Sequence, residues 1–233
     1  MRTTKYFSQF RQDEFVDKVV LNKMRGGFFV DIGAHDGLSL SNSLFFEKYR
    51  NFKGLCIEPN PQVYAQLKVN RKCTTLNVCI TETEQLVKFQ MVEGYAQMLS
   101  GIVDKYQPEH IKRIDNYIAE YGGTKTEIEA KGIPLQNINL LDNIPIDYIS
   151  IDTEGNELDI LSSINFNKIN VSCLSIENNY NDEKIEKLMN GTGFLKVYRL
   201  GDDDIYLKKS KYTTGFRVRR RIFFWLSKRK KKH

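Results

Sequence analysis

Four apolar runs of strand length carry an acidic residue at or near their carboxyl end. These acids are Asp31 in FFVDI, Glu58 in GLCIEP, Asp152 in IDYISID and Glu177 in VSCLSIENN. Open parallel sheets bind ligands at the carboxyl ends of their strands, and carboxylates placed there can hold cations or hydroxyl groups, or transfer protons. The polar loop that follows a strand explains one such acid well, but it explains four of them poorly. The four carboxylates therefore predict a ligand site.

The first acid lies in a turn that contains two glycines, VDIGAHDG, and this turn restricts the ligand. A dinucleotide would rest its pyrophosphate on the following helix N-terminus, but Asp36 places a negative charge there. A P-loop is excluded because no G-K-[ST] follows the glycines. S-adenosylmethionine (SAM) has no phosphate and carries two cationic groups, and a glycine lets the backbone approach it closely. We predict that Asp31, Gly33, Ala34, Asp36 and Gly37 bind SAM.

Glu58 and Pro59 follow the second apolar run and extend the predicted cofactor site. In related nucleotide-binding folds, an acid after the second strand accepts hydrogen bonds from the ribose hydroxyl groups. We therefore predict that the Glu58 carboxylate accepts both ribose hydroxyl groups of SAM, with Pro59 beside it.

Asp152, Glu154 and Glu177 form a second acidic group, for which methyl transfer provides a role. The reaction is an in-line displacement at the methyl group, so a hydroxyl acceptor must be positioned and must lose its proton. Neighbouring carboxylates repel one another, which raises the pKa of some of them and brings a base closer to neutral pH. We predict that these three residues are catalytic, whereas capping of the following helix explains Glu157 equally well.

The same carboxylates are also suitable ligands for a divalent metal such as Mg²⁺. The sequence alone gives no ligand geometry that would favour a metal over a base, and we expect no metal at this site. Zinc is disfavoured because His35, His110 and His233 lack the spacing of zinc ligands.

Alternating strand and helix patterns must position these acids. Five segments are predicted strands: GFFVDI, GLCIEP, TTLNVCI, IDYISID and VSCLSIENN. Helices are predicted over 41–50, 61–70, after 155 and over 182–190. FLKVYRL and DDIYLKK resemble a closing hairpin. We also predict an additional strand at VKFQMV. Residues 94–137 are predicted to form an insertion that contains a helix near 108–121 and a strand near 126–133. Strands separated by helices predict an α/β fold with a mainly parallel sheet.

The sequence resembles the FkbM-type methyltransferase family in three segments: VDIGAHDG, IEPNP and IDYISIDTEGNELDIL. The resemblance covers roughly Phe7 to Leu207. It implies a Rossmann-like class I methyltransferase fold with a mainly parallel seven-stranded sheet, helices on both faces and a closing antiparallel hairpin. It also implies SAM as the methyl donor and O-methylation of a hydroxyl group on a sugar, glycan or small metabolite. His35 departs from the smaller polar residue of many relatives, and we assign it no catalytic role.

Two other functions stay open from the sequence. Nucleic-acid methyltransferases that act on base amines commonly carry an Asn/Asp-Pro-Pro-aromatic loop after the fourth strand, whereas DTEG follows the fourth strand here. EPNP resembles that loop but follows the second strand. The other alternative is a binding or trafficking protein that kept the fold and lost the chemistry, and the presence of all four strand-end carboxylates argues against it.

The net charge of +6 belongs to the C-terminal segment. Nine of the 35 Lys and Arg residues and no acid lie between Arg217 and Lys232, which leaves 26 basic against 29 acidic residues elsewhere. We therefore predict a SAM-dependent methyltransferase domain over 1–210 and a basic aromatic tail over 211–233.

The tail has the pattern of a surface-binding helix, although a disordered, solvated extension is the alternative. Its apolar residues Val218, Ile222, Trp225 and Leu226 recur at helical spacing, Phe223 and Phe224 broaden this stripe, and Arg217, Arg220, Arg221 and Lys228 fall largely on the other side. Aromatic and basic residues together suit an anionic membrane surface, whereas nucleic acid would need a basic groove on the body. With no signal region and no spanning apolar run, we expect a cytoplasmic protein peripheral to a membrane.

Overall fold

The computed structural model describes residues 5–230, with side chains as far as residue 228. Its strands are β1 (Phe28–Ile32), β2 (Lys53–Ile57), β3 (Thr74–Leu76), β4 (Cys79–Ile80), β5 (Gln85–Val92), β6 (Gly101–Ile102), β7 (Lys125–Ile133), β8 (Tyr148–Ile151), β9 (Cys173–Glu177), β10 (Phe194–Leu200) and β11 (Asp203–Lys208). The main sheet has seven strands in the order β10-β11-β9-β8-β1-β2-β3. Its strands are parallel except β11, which is antiparallel to both neighbours. The predicted mainly parallel sheet with a closing hairpin is confirmed.

Helices cover both faces of this sheet. In chain order the helices are α1 (Gln12–Phe15), which continues as a π-helical turn over Val16–Val20, α2 (Leu44–Arg50), α3 (Pro61–Asn70), α4 (Pro108–Tyr121), α5 (Glu157–Ser163), α6 (Glu183–Gly191) and α7 (Thr214–Lys230). Of these, α4 packs within the insertion instead of on the main sheet. Successive side chains of a strand point to opposite faces. In β1, Phe29 packs in the core cluster that contains Phe46 of α2, whereas Val30 packs with Ile160 of α5 and Ile185 of α6. The predicted Rossmann-like arrangement, with helices on both faces of a mainly parallel seven-stranded sheet, is therefore confirmed.

The insertion predicted over 94–137 contributes β6 and β7 to a second sheet, whose other strands, β4 and β5, precede it in the chain. Strands β4, β7, β5 and β6 pair in that order, with β5 and β7 antiparallel over their length. The predicted strand VKFQMV lies in β5, and the predicted helix near 108–121 is α4. The insertion is therefore an ordered layer, and it stands at the edge of the main sheet where the acids lie.

Two predicted elements differ from the structure. TTLNVCI is divided between β3 and β4, because the Asn77 side chain donates hydrogen bonds to the carbonyls of Glu58 and Pro59 and β4 pairs with β7 instead. The helix predicted from Ser41 begins at Leu44, because the Ser41 hydroxyl accepts a hydrogen bond from the Leu44 amide and holds the preceding residues in a turn.

The C-terminal helix α7 packs on the domain. Phe216 and Phe223 are buried in the same core cluster as Phe15, so Phe223 does not belong to the exposed stripe that the sequence predicted. Arg220 also faces the domain and donates a hydrogen bond to the carbonyl of Val197. The domain boundary at residue 210 stays a prediction. Within residues 5–230, no helix combines the length and apolar character needed to cross a bilayer.

Candidate active site

One cavity opens at the carboxyl ends of β1, β2, β8 and β9. Among the residues that line it are eight of those predicted from the sequence: Asp31, Gly33, Ala34, Glu58, Pro59, Asp152, Glu154 and Glu177. Asp36 and Gly37 are described in the structure but lie outside the wall of this cavity. The parallel sheet thus brings together both predicted acidic groups, which are distant in sequence.

The structure gives the two glycines of the first turn a packing role. Gly33 has a φ of +84°, and a Cβ built there would lie 1.7 Å from the backbone oxygen of Asp152. A Cβ on Gly37, where φ is +77°, would lie 2.6 Å from side-chain atoms of Leu67 and Arg71. Close approach to the neighbouring strand and to α3 therefore accounts for both glycines without a ligand.

Asp36 closes the loop that follows this turn. Its carboxylate accepts hydrogen bonds from the amides of Leu38 and Ser39 and from the Ser39 hydroxyl, at 2.7–2.8 Å. Burial opposes ionisation, but these hydrogen bonds prevail and lower the pKa of Asp36. Contact of Asp36 and Gly37 with the cofactor stays a prediction.

Asp31 is a buried carboxylate at the base of the cavity. The Ser43 hydroxyl donates a hydrogen bond of 2.5 Å to it. Burial raises the pKa of Asp31, and the buried guanidinium of Arg71 together with the Ser43 hydrogen bond opposes that rise.

Glu58 and His35 form one end of the cavity. Glu58 accepts hydrogen bonds from the backbone amides of His35, at 3.0 Å, and Asn60, at 2.8 Å. Burial raises the pKa of Glu58 to about 7 against the lowering effect of those two bonds. The His35 ring lines the cavity, and its two buried nitrogens have no hydrogen-bond partner among residues 5–230. Nδ1 lies 3.7 Å from the Asp36 carboxylate, beyond hydrogen-bond distance. The sequence prediction assigned His35 no role.

Asp152, Glu154 and Glu177 meet at the other end. One carboxylate oxygen of each lies within 4.8 Å of those of the other two. Burial, and then the charge of Glu154, raises the pKa of Asp152 well above its ordinary value. Burial and the charge of Asp152 do the same for Glu177. Burial raises the pKa of Glu154 to about 7, although the positive charge of Arg113 opposes it. The structure therefore contains the crowded carboxylates from which the sequence analysis predicted a catalytic base.

Asp203 is a fourth acid of this group, and the sequence prediction missed it. It begins β11 and lies opposite Glu177 in the antiparallel register. Because β11 runs against the other strands, its first residue reaches the edge where theirs end. Burial raises the pKa of Asp203 to about 6, and Gln12 donates a 2.6 Å hydrogen bond to one of its oxygens. The DDD run at 202–204 was the available signal, but we interpreted it only as part of a hairpin.

The insertion contacts the acidic group through α4. Arg113 donates a 2.9 Å hydrogen bond to Glu154, and Nδ1 of His110 lies 3.5 Å from the same carboxylate. Glu157, in contrast, accepts hydrogen bonds from Thr153 and from the amide of Gly155. Glu157 therefore closes the loop before its own helix, and the N-terminus of α5 receives no capping hydrogen bond from the side chain of its N-cap residue, Asn156.

Asp152, Glu154 and Glu177 also present three oxygen ligands of the type that Mg²⁺ prefers. The expectation that no metal binds there stays a prediction.

One protein-family model matches most of the chain. The model described as the methyltransferase FkbM domain matches residues 31–201. The chain belongs to the FkbM methyltransferase family. This FkbM region includes Asp31, Glu58, Asp152 and Glu177, and it ends before Asp203 and α7. The resemblance predicted from the sequence is confirmed.

Several solved structures are similar to this chain at low sequence identity. Methyltransferase FkbM from Methylobacillus flagellatus KT is 17% identical with a TM-score of 0.45, and the match covers 78% of this chain but only 43% of that one. A precorrin-6y C5,15-methyltransferase from Geobacter metallireducens GS-15 is 14% identical, with a TM-score of 0.40 and coverage of 84% and 85%. A SAM-dependent methyltransferase from Aquifex aeolicus is 11% identical, with a TM-score of 0.40 and coverage of 85% and 88%. No curated protein matched the chain.

Proposed function

We propose that this FkbM-family chain is a SAM-dependent methyltransferase that methylates a hydroxyl group of a sugar, glycan or small metabolite. The observation that carries the proposal is the single cavity that joins Glu58 and His35 to the acidic group of Asp152 and Glu177. One end suits a cofactor with hydroxyl donors, and the other end suits removal of a proton.

The cofactor end fits SAM through the chemistry of its side chains. Glu58 carries two carboxylate oxygens that hydroxyl groups of a ribose can share with the existing backbone donors. The unpartnered nitrogens of His35 offer further polar contacts, and Asp31, Ala34 and Pro59 complete this wall. When bound, SAM supplies an electrophilic methyl group on a sulfonium.

The acidic end then acts on the acceptor. Because repulsion favours shared protons, at least one of Asp152 and Glu177 can accept the hydroxyl proton while the other stays protonated. Asp152 or Glu177 would take the proton of the acceptor hydroxyl, and bound SAM would supply the methyl group for the in-line displacement. Arg113 holds Glu154 in place from the insertion.

Calorimetry with SAM, followed by transfer of a labelled methyl group from SAM to hydroxylated sugars, lipid-linked glycans and matched amines, tests the proposal. We expect SAM to bind and label to enter a hydroxyl compound. Binding without labelling of any acceptor in active cell extract would favour the inactive binding protein. Labelling of nucleic acid alone would favour the nucleic-acid methyltransferase, and absence of SAM binding would contradict the proposal.

We also propose peripheral attachment to an anionic membrane surface through α7. Val218, Ile222, Trp225 and Leu226 each remain about half exposed along this helix, at 47–53%. Arg217 and Arg221 are exposed beside them. Such a pattern supports insertion into the interface of an anionic bilayer, where a lipid-linked acceptor would be accessible. Co-sedimentation of the full chain with anionic vesicles tests this attachment, and absence of binding at low salt would contradict it.

A further inference from the structure

A groove outside the candidate active site lies between α7 and residues 11–23, which we call the N-terminal helical segment. Lys18, Lys23, Arg219, Ile222 and Leu226 are among the residues that line it. The groove thus combines side chains from the two ends of the chain, which the sequence pattern of the tail alone could not indicate.

The inward side of α7 fixes the helix in this position. Phe223 meets the Phe15 ring edge to face at 5.5 Å, and Phe216 is buried in the same core cluster. The Arg219 side chain donates a 2.8 Å hydrogen bond to the backbone oxygen of Val19. The helix is therefore already formed and docked, so a surface that binds its outer side does not have to order it first.

The groove is basic as well as partly apolar. Arg11, Lys18, Lys23 and Arg219 line it together with one acid among the described lining residues, Glu14. Glu14 pairs with Arg11 at 2.7 Å and with Lys18 at 2.6 Å, which leaves an excess of positive charge. Exposed Ile222 and Leu226 continue the groove onto the outer side of α7.

We propose that α7 and the N-terminal helical segment together form one binding face for an anionic phospholipid bilayer. The inference rests on the proposed membrane attachment and assigns that attachment to a composite, folded surface instead of a tail. The basic residues of the groove contact headgroup phosphates, while Ile222 and Leu226 enter the acyl boundary. A nucleic acid would use the basic residues but would gain nothing from the exposed aliphatic side chains.

Co-sedimentation of the full-length protein with phosphatidylglycerol-containing and pure phosphatidylcholine vesicles tests the composite face. Two double variants separate its parts: Lys18→Gln with Lys23→Gln, and Ile222→Glu with Leu226→Glu. The matched controls are Lys68→Gln with Lys88→Gln, and Val69→Glu with Leu86→Glu, which change exposed side chains elsewhere. Thermal melting and SAM binding of every variant report whether the fold is intact.

We expect salt-sensitive binding to the anionic vesicles only, and loss of that binding in the Ile222 and Leu226 variant. The Lys18 and Lys23 variant should bind at least about fivefold more weakly, because a basic residue near an anionic surface contributes about that factor. Both control variants should bind like the parent protein.

Three results would overturn the inference. If the lysine variant binds vesicles like its control while the aliphatic variant does not, attachment belongs to α7 alone and the composite face is wrong. If the parent protein binds neither vesicle, membrane attachment itself fails. If binding is to a labelled single-stranded oligonucleotide instead, and only the lysine variant loses it, the face is a nucleic-acid site.

Discussion

The two ends of the active-site cavity both contain buried carboxylates, but they surround them differently. Glu58 accepts hydrogen bonds from two backbone amides, which favour its ionised form against the cost of burial. Asp152 and Glu177 lie beside other acids, so repulsion adds to burial and favours their protonated form.

The difference shows how one chemical group can receive two tasks from its surroundings. A carboxylate held by fixed donors is suited to accept further hydrogen bonds from a ligand, whereas carboxylates that crowd one another are suited to exchange protons. Losses of cofactor affinity and of turnover should therefore separate between the two ends.

The largest effect is expected from Asp152→Asn. The amide keeps the size of the side chain but cannot take the acceptor proton, so turnover should fall about 10²–10⁴-fold while SAM affinity changes by only a few fold. Both quantities are measured on one preparation, with Asp142→Asn in an exposed loop as the control. Unchanged turnover would remove Asp152 from catalysis, and a lost cofactor site would make its role structural.

Glu58→Ala should affect the opposite property. Removal of a charged acceptor for the ribose hydroxyl groups should weaken SAM binding by about 1–3 kcal/mol. Calorimetry compares this variant with Glu82→Ala, which changes an exposed acid. If the Glu58 variant melts like the parent and binds SAM as tightly, the assignment of Glu58 to the cofactor is wrong.

Stability should depend on pH with a sign set by these buried acids. The pKa of Glu58 and that of Glu154 are each raised to about 7 in the folded protein, above the unfolded value of 4.5. The folded state then holds more protons, so the free energy of unfolding decreases as pH rises from about 4.5 to about 7. Urea unfolding without SAM measures the decrease, which Glu58→Gln should reduce by about 3 kcal/mol, because a pKa shift of one unit corresponds to about 1.4 kcal/mol. An identical decrease in the variant would show that Glu58 titrates normally.

The smallest effect, a shift in the pH dependence of kcat, is expected from Asp203→Asn, which tests whether crowding of carboxylates raises the pKa of Asp152 and Glu177. Removal of this neighbouring charge lowers the pKa of Asp152 and Glu177, to which Asp203 contributes repulsion. The acidic limb of the kcat–pH profile should move to lower pH by about half a unit to one unit. Asp202→Asn, at a more exposed neighbour in sequence, is the control. A shift in the opposite direction would contradict the crowding argument.

The sequence predicted the scaffold well because apolar runs and helical spacing are local signals. β1, β2, β8 and β9 were each recognisable as buried runs, and the acid at each end follows from the same pattern. Because parallel strands end at the same edge of a sheet, the sequence also predicts that Asp31 and Asp152 lie at one edge.

The features that escaped prediction depend on contacts between distant segments. Asp203 joins the acidic group because β11 lies between β10 and β9 and pairs Asp203 with Glu177, a long-range contact that DDDIYL does not encode locally. The His35 ring lies in the cavity wall, and its buried nitrogens make no hydrogen bond within the described chain, a property that the sequence does not encode locally. The inward side of α7 was missed for the same reason, because Phe216 and Phe223 could equally have faced a membrane.

The contact between Gly33 and the Asp152 carbonyl has a consequence for how such an enzyme could be given a new acceptor. The turn at Gly33 and the strand end that carries the proposed base are in close backbone contact, so neither can be remodelled without displacing the other. The insertion reaches the same acids through side chains of α4, such as Arg113 and His110. To change which acceptor is methylated, residues on α4 should therefore be substituted while the strand ends are left unchanged.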